Sequence, residues 1–250
     1  MKTYLLPFLM LAFLAGCKKE KEITQKKVSY LDVGYIEVLD EELSQLIDST
    51  SKLEILSEGH SWTEGPLWLE DRKMLLFSDI PRNTVYSWTK EEGIKEYLKP
   101  SGFTGENFEG SEPGANGLLL DSEGYLVLCE HGNRQMAKMI SDIDDPKPEF
   151  ETLVNSFDGK KLNSPNDGVF DSDGNLFFTD PPFGFPKAFD DKRKELSFSG
   201  VYSVYKGKLQ LLTKEFTGPN GIALSPDEKY LYIGNWDEKK KTVYRYEVNV

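Results

Sequence analysis

The sequence of 250 residues is poor in several residue types on which common protein classes depend. It has only two histidines, His60 and His131, so the paired-histidine spacing of zinc proteases is absent. No Gly-x-Ser-x-Gly segment is present, so the sequence does not support a serine hydrolase that has a nucleophile elbow. The glycines form no phosphate-binding loop, and the net charge of −12 argues against a nucleic-acid partner, because phosphate contacts need clustered lysine and arginine.

Cysteine is equally scarce, with only Cys17 and Cys129 in the chain. Cys17 ends the segment Leu14-Ala15-Gly16-Cys17, which follows a positively charged start and a short apolar run. This pattern resembles the bacterial lipoprotein signal. It predicts that residues 1–17 are a signal peptide, that Cys17 is lipidated, and that the protein is lipid-anchored at a membrane surface of the bacterial cell envelope. An ordinary cleaved signal with a chance cysteine is the alternative.

Cys129 would then have no internal disulfide partner. It lies in the apolar run Leu126-Val127-Leu128-Cys129, where a buried small hydrophobic residue is the expected role and a nucleophile the alternative.

Residues 18–51 are predicted to be a solvated tether followed by a short helix. The tether is rich in lysine and glutamate. Asp40 is suited to cap the helix, with acidic residues in its first turn. Leu43, Leu46 and Ile47 share one helical face, which is expected to pack against the main domain.

From residue 64 onward the chain repeats one pattern about every 50 residues. Each unit has a polar start, an apolar strand, a polar turn and a second apolar strand. The first segments are Glu64-Gly65-Pro66-Leu67-Trp68, Asn116-Gly117-Leu118-Leu119-Leu120, Asn166-Asp167-Gly168-Val169-Phe170 and Asn220-Gly221-Ile222-Ala223-Leu224. Further strand hairpins complete the units.

Four antiparallel strands per unit describe a blade, so the sequence predicts an all-β fold, a β-propeller over residues 52–250 with about four blades present. An eight-stranded sandwich is the alternative, but it does not explain the shared pattern. The segment 52–56 is expected to be an outer strand that completes the blade formed by the C-terminus. Because the fourth unit reaches only its third strand before Val250, the propeller is expected to be incomplete at its C-terminus.

The first strand of each blade lines the central channel of a propeller, so the shared pattern places Glu64, Asn116, Asn166 and Asn220 around one axis. A carboxylate with several amide oxygens is suited to a hard cation such as Ca²⁺ or Mg²⁺. Taken singly, each Asn-Gly or Asn-Asp pair is also an ordinary turn. Asp171-Ser172-Asp173-Gly174 is interpreted as a hairpin turn, since an EF-hand would need a glutamate where Pro182 stands.

Four groups of residues resemble the SMP-30/gluconolactonase/regucalcin-like family. They are Glu64–Trp68, the run Cys129-Glu130-His131-Gly132-Asn133-Arg134, Ser164–Gly168 with Phe178–Gly184, and Pro219–Asp227, in the family's order. The resemblance covers residues 52–250 and implies a six-bladed propeller with a divalent cation in its channel, Ca²⁺ first and Zn²⁺ or Mg²⁺ as alternatives.

The resemblance also implies the metal ligands Glu64, Asn166 (or its neighbour Asp167) and Asn220, with the family's catalytic aspartate expected beyond Val250. The implied reaction is hydrolysis of a sugar lactone or similar ester, with the metal as Lewis acid. The candidates for contacts with this small-molecule substrate are Asn116, Asp167, Glu130, His131 and Asp180.

For several of these residues an alternative role stays open. Glu130, His131 and Asp180 follow second strands, so they could instead be loop structure, and Trp62 and Phe183 could line the pocket or belong to the core. Two other functions also stay open: a non-catalytic propeller that binds a cation, a sugar or a partner protein, and a hydrolase of other esters or organophosphates on the same site.

Overall fold

A computed structural model describes residues 31–248 of the chain. The main elements among these residues are antiparallel sheets that follow one another along the sequence. Blade 1 contains the strands Thr63–Leu69, Met74–Asp79, Thr84–Thr89 and Gly93–Leu98. Blade 2 contains Ala115–Leu120, Leu126–Glu130, Gln135–Met139 and Phe150–Val154.

The second half of the chain continues the same arrangement. Blade 3 contains Gly168–Phe170, Leu176–Asp180, Gly200–Tyr205 and Lys208–Thr213. Blade 4 contains Pro219–Leu224, Tyr230–Asn235 and Thr242–Glu247 in the described part of the chain. The predicted all-β propeller with four-stranded blades is therefore confirmed, and each predicted pair of first and second strands is hydrogen-bonded.

Tight turns between the first two strands keep the register of each blade. In blade 3 the Asp171 carboxylate accepts hydrogen bonds from the backbone N–H groups of Asp173 and Asn175 at 3.1 and 2.7 Å. In blade 2 Asp121 binds Glu123 and Tyr125 in the same way. Such aspartate-to-backbone bonds mimic a turn. The interpretation of Asp171–Gly174 as a hairpin turn is confirmed.

The core lies between the faces of adjacent blades, where apolar residues of the strands meet. One buried cluster joins blades 1 and 2, a second joins blades 2 and 3, and a third joins blades 3 and 4. Cys129 is fully buried in the second cluster, in contact range of side chains such as Phe178 and Leu176. Burial raises the pKa of the Cys129 thiol well above its ordinary value, so the thiol behaves as a small apolar group.

The segment before blade 1 differs from what its sequence predicts. Asp40 does cap a helix, with the Glu42 N–H donating to its carboxylate at 2.9 Å, but this helix is a single 3₁₀ turn over Glu41–Gln45. Leu46 and Ile47 are exposed, so the prediction that this face packs on the main domain is wrong. A turn this short presents no continuous face for packing.

The strand within residues 52–56 is also placed differently. Leu53–Ile55 pairs with Leu31–Gly34 in a two-stranded sheet and not with a strand of blade 4. The remaining elements are a small hairpin and three 3₁₀ turns. The hairpin consists of Ser156–Phe157 and Lys160–Lys161. The 3₁₀ turns are Glu70–Arg72, Ile80–Arg82 and Ala188–Asp190.

The predicted signal peptide, the lipidation at Cys17 and the tether up to residue 30 lie outside the described residues. They stay predictions, as does the location at the cell envelope. Within residues 31–248 the structure has no helix that is long and apolar enough to cross a membrane.

Candidate active site

The first strands of the four blades meet along one axis and form the wall of a cavity of about 660 Å³. All four residues expected on that axis lie on this wall. We call them the polar ring: Glu64, Asn116, Asn166 and Asn220. The repeated sequence pattern therefore brings the polar ring together in one place.

Hydrogen bonds between blades fix the backbone of the three asparagines. The Ser78 hydroxyl of blade 1 donates to the Asn116 carbonyl at 2.8 Å, and the Thr179 hydroxyl of blade 3 donates to the Asn220 carbonyl at 2.7 Å. The Asn166 carbonyl accepts from the Gly117 N–H at 2.8 Å. Because each asparagine accepts through its backbone carbonyl, these bonds position the residue without occupying its side-chain amide.

The glycines that follow Glu64 and Asn116 lie close to the backbone of the next blade. Gly65 has a φ of +55°, and a Cβ on it would overlap the backbone oxygen of Asn116. A Cβ on Gly117 would lie 2.9 Å from the Asn166 oxygen. Glycine at these two positions thus allows the inner strands to pack tightly around the axis.

In blade 3 the equivalent position is Asp167. From the sequence, Asp167 is a candidate for an alternative metal ligand or for a substrate contact. Its carboxylate accepts from the Ile222 N–H of blade 4 at 3.0 Å and from the Gly168 N–H at 2.9 Å. Burial raises the pKa of Asp167, and the nearby charge of Glu64 raises it further. Both carboxylate oxygens are held by backbone groups, and Asp167 is not part of the cavity wall.

The polar ring suits a hard cation. The Glu64 carboxylate is half-buried, accepts one hydrogen bond from the Trp62 indole N–H at 3.0 Å, and forms no ion pair with a basic side chain of residues 31–248. In the same part of the chain the side-chain amides of Asn116, Asn166 and Asn220 form no hydrogen bond with protein atoms. One carboxylate and three free amide oxygens form the donor set that Ca²⁺ and Mg²⁺ prefer.

The described residues hold no cluster of three or more His, Cys, Asp or Glu side chains of the kind that binds transition metals.

His131 lies on the cavity wall, as the sequence predicts, together with Glu112, which sequence reasoning missed. The His131 Nδ1 is 3.0 Å from a Glu112 carboxylate oxygen, and the buried Nε2 has no partner among the described residues. Glu112 comes from the long connection that leads into blade 2, and no local sequence pattern marks it.

Glu130 and Asp180, by contrast, are fully buried and do not line the cavity. Each is the last residue of the second strand of its blade, a position that Asp79 and Asn235 occupy in the other blades. We call these four the strand-end residues. The structure therefore places Glu130 and Asp180 in the blade interior and not at the expected mouth of the cavity.

Three of the strand-end residues hold the backbone that enters the first strand of their blade. Asp79 accepts from the Ser61 N–H at 2.9 Å, and Asp180 accepts from the Asn163 N–H at 2.8 Å. Asn235 does the same for Gly218. Glu130, which has a longer side chain, instead accepts from the side-chain amides of Asn133 and Gln135. All four strand-end residues occupy the same position in the repeat. That shared position is the sequence signal that indicates a structural role and not a role at the cavity.

Glu130 gives a testable dependence of stability on pH. Burial raises its pKa from 4.5 to about 7, against the opposing effect of its two amide partners. Between these two values the folded chain retains a proton that the unfolded chain has released, so stability falls as pH rises from about 4.5 to about 7. The loss is at most about 3 kcal/mol for Glu130, and Asp180, whose pKa is also raised by burial to about 7, adds to it.

We therefore expect Glu130→Gln to reduce the fall in urea-unfolding free energy between pH 5 and pH 8 relative to wild type. The exposed Glu149→Gln is the control and should keep the wild-type fall. An unchanged fall in Glu130→Gln would show that Glu130 is ionised throughout this range.

Four aromatic side chains form another part of the cavity wall. From the sequence, Trp62 and Phe183 could line the pocket or belong to the core. Both residues line the cavity. Phe189 and Trp236 join them, and sequence reasoning missed both. We call these four rings the aromatic wall. They are contributed by segments before or between strands, where no periodic pattern shows which way a side chain points.

The fold and the site together define the class of the protein: a β-propeller with a carboxylate-and-amide ring in its channel, of the kind suited to bind a cation and a small molecule. The chain belongs to the SMP-30/gluconolactonase/LRE-like family, whose model matches residues 62–250.

Individual relatives agree with this assignment. The chain is 33% identical over 220 residues to a gluconolactonase of Zymomonas mobilis, covering 87% of this chain and 61% of that protein. It resembles the solved structure of a Xanthomonas campestris gluconolactonase with a TM-score of 0.74 and 26% identity, covering 91% of this chain and 72% of the other. The chain spans about three fifths of the length of the Zymomonas protein.

A regucalcin from Agrobacterium tumefaciens, described as a calcium-binding protein, shares the fold. Its TM-score is 0.52 at 17% identity, with 78% of this chain and 57% of the other covered. At this identity the likeness concerns the fold alone.

Proposed function

We propose that the protein is a cation-dependent hydrolase of a sugar lactone. The observation that carries this proposal is the polar ring, in which Glu64 and three asparagine side chains face one cavity. Within residues 31–248 the three amides form no hydrogen bond with protein atoms, and the Glu64 carboxylate accepts one, from Trp62. Membership of the gluconolactonase-containing family supports the choice of a lactone as substrate. Because the chain spans only part of the length of its relative, the activity is proposed for the whole protein that contains it.

In this proposal Glu64, Asn166 and Asn220 hold the cation, and Asn116 lies beside them to orient the substrate. When bound, a divalent cation would polarise the lactone carbonyl. Hydrolysis adds the oxygen of water to the carbonyl carbon and breaks the ring C–O bond, and the ring oxygen takes up a proton. The hydroxyl groups of Ser78 and Thr179 hold the backbone carbonyls of Asn116 and Asn220, so little backbone rearrangement is needed at the moment of reaction.

Ca²⁺ is the proposed cation, with Mg²⁺ and Zn²⁺ as alternatives. The donor set is rich in neutral oxygens and contains one carboxylate, a composition typical of hard cations. Zn²⁺ more often binds nitrogen and sulfur ligands, which are not among the polar ring.

Asn166→Ala tests the proposal through hydrolysis of glucono-1,5-lactone by the whole protein as its gene encodes it. Loss of one amide ligand is expected to lower the rate at limiting Ca²⁺ by at least about tenfold, with partial recovery at high Ca²⁺. A chelator should abolish the wild-type rate. Asn155→Ala is the control, because Asn155 is exposed and uses only its backbone oxygen in a hydrogen bond.

Two outcomes would contradict the proposal. If neither Asn166→Ala nor the chelator changes the rate of hydrolysis, the polar ring takes no part in the reaction. A wild-type protein that binds a cation but hydrolyses no lactone would favour a non-catalytic binding propeller, and turnover of other esters alone would favour the broader hydrolase.

A further inference from the structure

The backbone of His131 is fixed beside the polar ring. Ala115 pairs with Glu130 in the sheet of blade 2, and at the next step the His131 N–H donates to the Gly114 carbonyl at 3.2 Å. Gly114 comes two residues before Asn116 in the chain. The strand pairing of blade 2 therefore sets His131 next to the start of the strand that carries Asn116, and both residues line the cavity.

The imidazole of His131 has little freedom to move. Its side chain is fully buried, and a Cβ on Gly184 would lie 3.0 Å from the His131 Cβ and 3.2 Å from the His131 Cγ. Gly184 is held in this place because its N–H donates to the Ser164 hydroxyl at 2.9 Å. Glycine at position 184 thus allows the connection after the second strand of blade 3 to pack directly on the histidine, which fixes the ring before a ligand binds.

The two ring nitrogens of His131 have different surroundings. Nδ1 lies 3.0 Å from a carboxylate oxygen of Glu112, whereas Nε2 is buried without a hydrogen-bond partner among the described residues. An ionised carboxylate can only accept a hydrogen bond. The contact with Glu112 therefore assigns the proton to Nδ1 and leaves the lone pair of Nε2 free.

The free Nε2 is exceptional in its position. Of the buried side-chain atoms without a hydrogen-bond partner in residues 31–248, the His131 Nε2 is the only one on a residue that lines the cavity. A buried polar atom that forms no hydrogen bond within the protein costs free energy. A water molecule or substrate bound in the cavity would supply the missing partner.

We propose that His131 is the catalytic residue that transfers the proton during lactone hydrolysis, with Glu112 as its positioning residue. This inference rests on the proposed function and adds a catalytic pair outside the polar ring. Nε2 takes one proton from the water that attacks the carbonyl carbon. As the bond between that carbon and the ring oxygen breaks, the same proton passes to the ring oxygen, which becomes a hydroxyl group. The second proton of the water stays on the new carboxyl group, and His131 returns to its starting state.

The charges of the cavity favour the protonated imidazole that forms between these two proton transfers. Apart from the polar ring, the cavity is lined by the carboxylates of Glu112, Asp237 and Glu238 against one ammonium, that of Lys239. An excess of negative charge close to a histidine stabilises its positively charged form. Glu112 contributes most directly, because its carboxylate is in hydrogen-bond contact with Nδ1.

His131→Asn tests the catalytic role. The asparagine amide can still donate to Glu112 from near the position of Nδ1, but it has no atom in place of Nε2. We expect kcat for glucono-1,5-lactone to fall at least about a hundredfold, with KM changed far less. Unlike the rate of Asn166→Ala, this rate should not recover at high Ca²⁺. His60→Asn is the control, because His60 lies outside the cavity and contacts the Ser57 hydroxyl at 2.6 Å.

Glu112→Gln tests the positioning role. Glutamine keeps the size of the side chain, but its neutral amide stabilises a protonated imidazole less and can donate to Nδ1, which favours the opposite tautomer. We expect kcat to fall at least about tenfold, again with little change in KM. Glu106→Gln is the matched control and should keep the wild-type kcat, because Glu106 is exposed in the same connection and lies outside the cavity.

The state of the His131 ring can be measured without turnover. Nitrogen NMR of the whole protein with isotope-labelled histidine distinguishes a ring nitrogen that carries a proton from one that does not, and the signals lost in His131→Asn belong to His131. Without substrate we expect the proton on Nδ1 and none on Nε2. Glu112→Gln should change this distribution and Glu106→Gln should not.

The outcomes separate this inference from the proposed function. A wild-type protein that hydrolyses no lactone would overturn the proposed function and the catalytic role of His131 with it. If lactones are hydrolysed but His131→Asn keeps the wild-type kcat, or recovers it at high Ca²⁺, only the inference about His131 fails. A proton on Nε2 in the substrate-free wild type would also exclude His131 as the proton acceptor.

Discussion

Replacement of Glu64 by glutamine is expected to lower kcat/KM for glucono-1,5-lactone by at least about a hundredfold. Glu64 supplies the only carboxylate of the polar ring, and no basic side chain of residues 31–248 neutralises it. Glutamine keeps the size of the side chain and an oxygen that can accept the Trp62 N–H, so the aromatic wall should be preserved. The variant therefore removes charge with little change of shape.

The measurement is a steady-state assay of wild type, Glu64→Gln and the control Glu58→Gln at a fixed Ca²⁺ concentration. Glu58 is exposed and lies outside the cavity, so its replacement should leave kcat/KM unchanged. An active Glu64→Gln protein would exclude Glu64 from the reaction, whatever the behaviour of the asparagines.

Replacement of Gly65 by alanine is expected to destabilise the fold by about 3 kcal/mol or more. The residue has a φ of +55°, a conformation that costs an L-residue about 1–2 kcal/mol. Its new Cβ would also overlap the backbone oxygen of Asn116, which Ser78 holds in place. The first strands of blades 1 and 2 would have to separate, and the polar ring would widen.

Gly124→Ala provides the matched control for this prediction. Gly124 also has a positive φ, +86°, but nothing lies within 4 Å of the position of a Cβ. Its replacement should therefore cost only the backbone strain, about 1 kcal/mol. Urea unfolding that gives the same loss for both variants would show that blades 1 and 2 are not in tight contact at Gly65.

Much of the fold could be predicted from the sequence because each blade repeats a local pattern. Short apolar runs define the strands, and the aspartate turns at Asp121 and Asp171 set their register through bonds within a few residues. The polar ring followed from the same repeat, since equivalent positions in successive blades of a propeller share an axis.

The parts that could not be predicted depend on contacts between distant segments. Glu112, Phe189 and Trp236 reach the cavity from connections whose course is decided by packing against neighbouring blades. From the sequence, Glu130 and Asp180 are expected to line the mouth of the cavity because each follows the second strand of its blade. Their side chains turn inward because backbone or amide donors inside the blade require an acceptor.

The segment before blade 1 shows the same limit. The cap at Asp40 is a local interaction and was predicted correctly. The packing of Leu46 and the pairing of the strand near residue 53 depend on distant partners, and both differ from the prediction.

The central claim is that the polar ring holds a cation, and calorimetric titration with Ca²⁺ tests it most directly. We expect one binding site per chain in the whole protein and an affinity at least about tenfold weaker in Glu64→Gln. No binding of Ca²⁺, Mg²⁺ or Zn²⁺ by wild type, or equal affinity in wild type and Glu64→Gln, would contradict it.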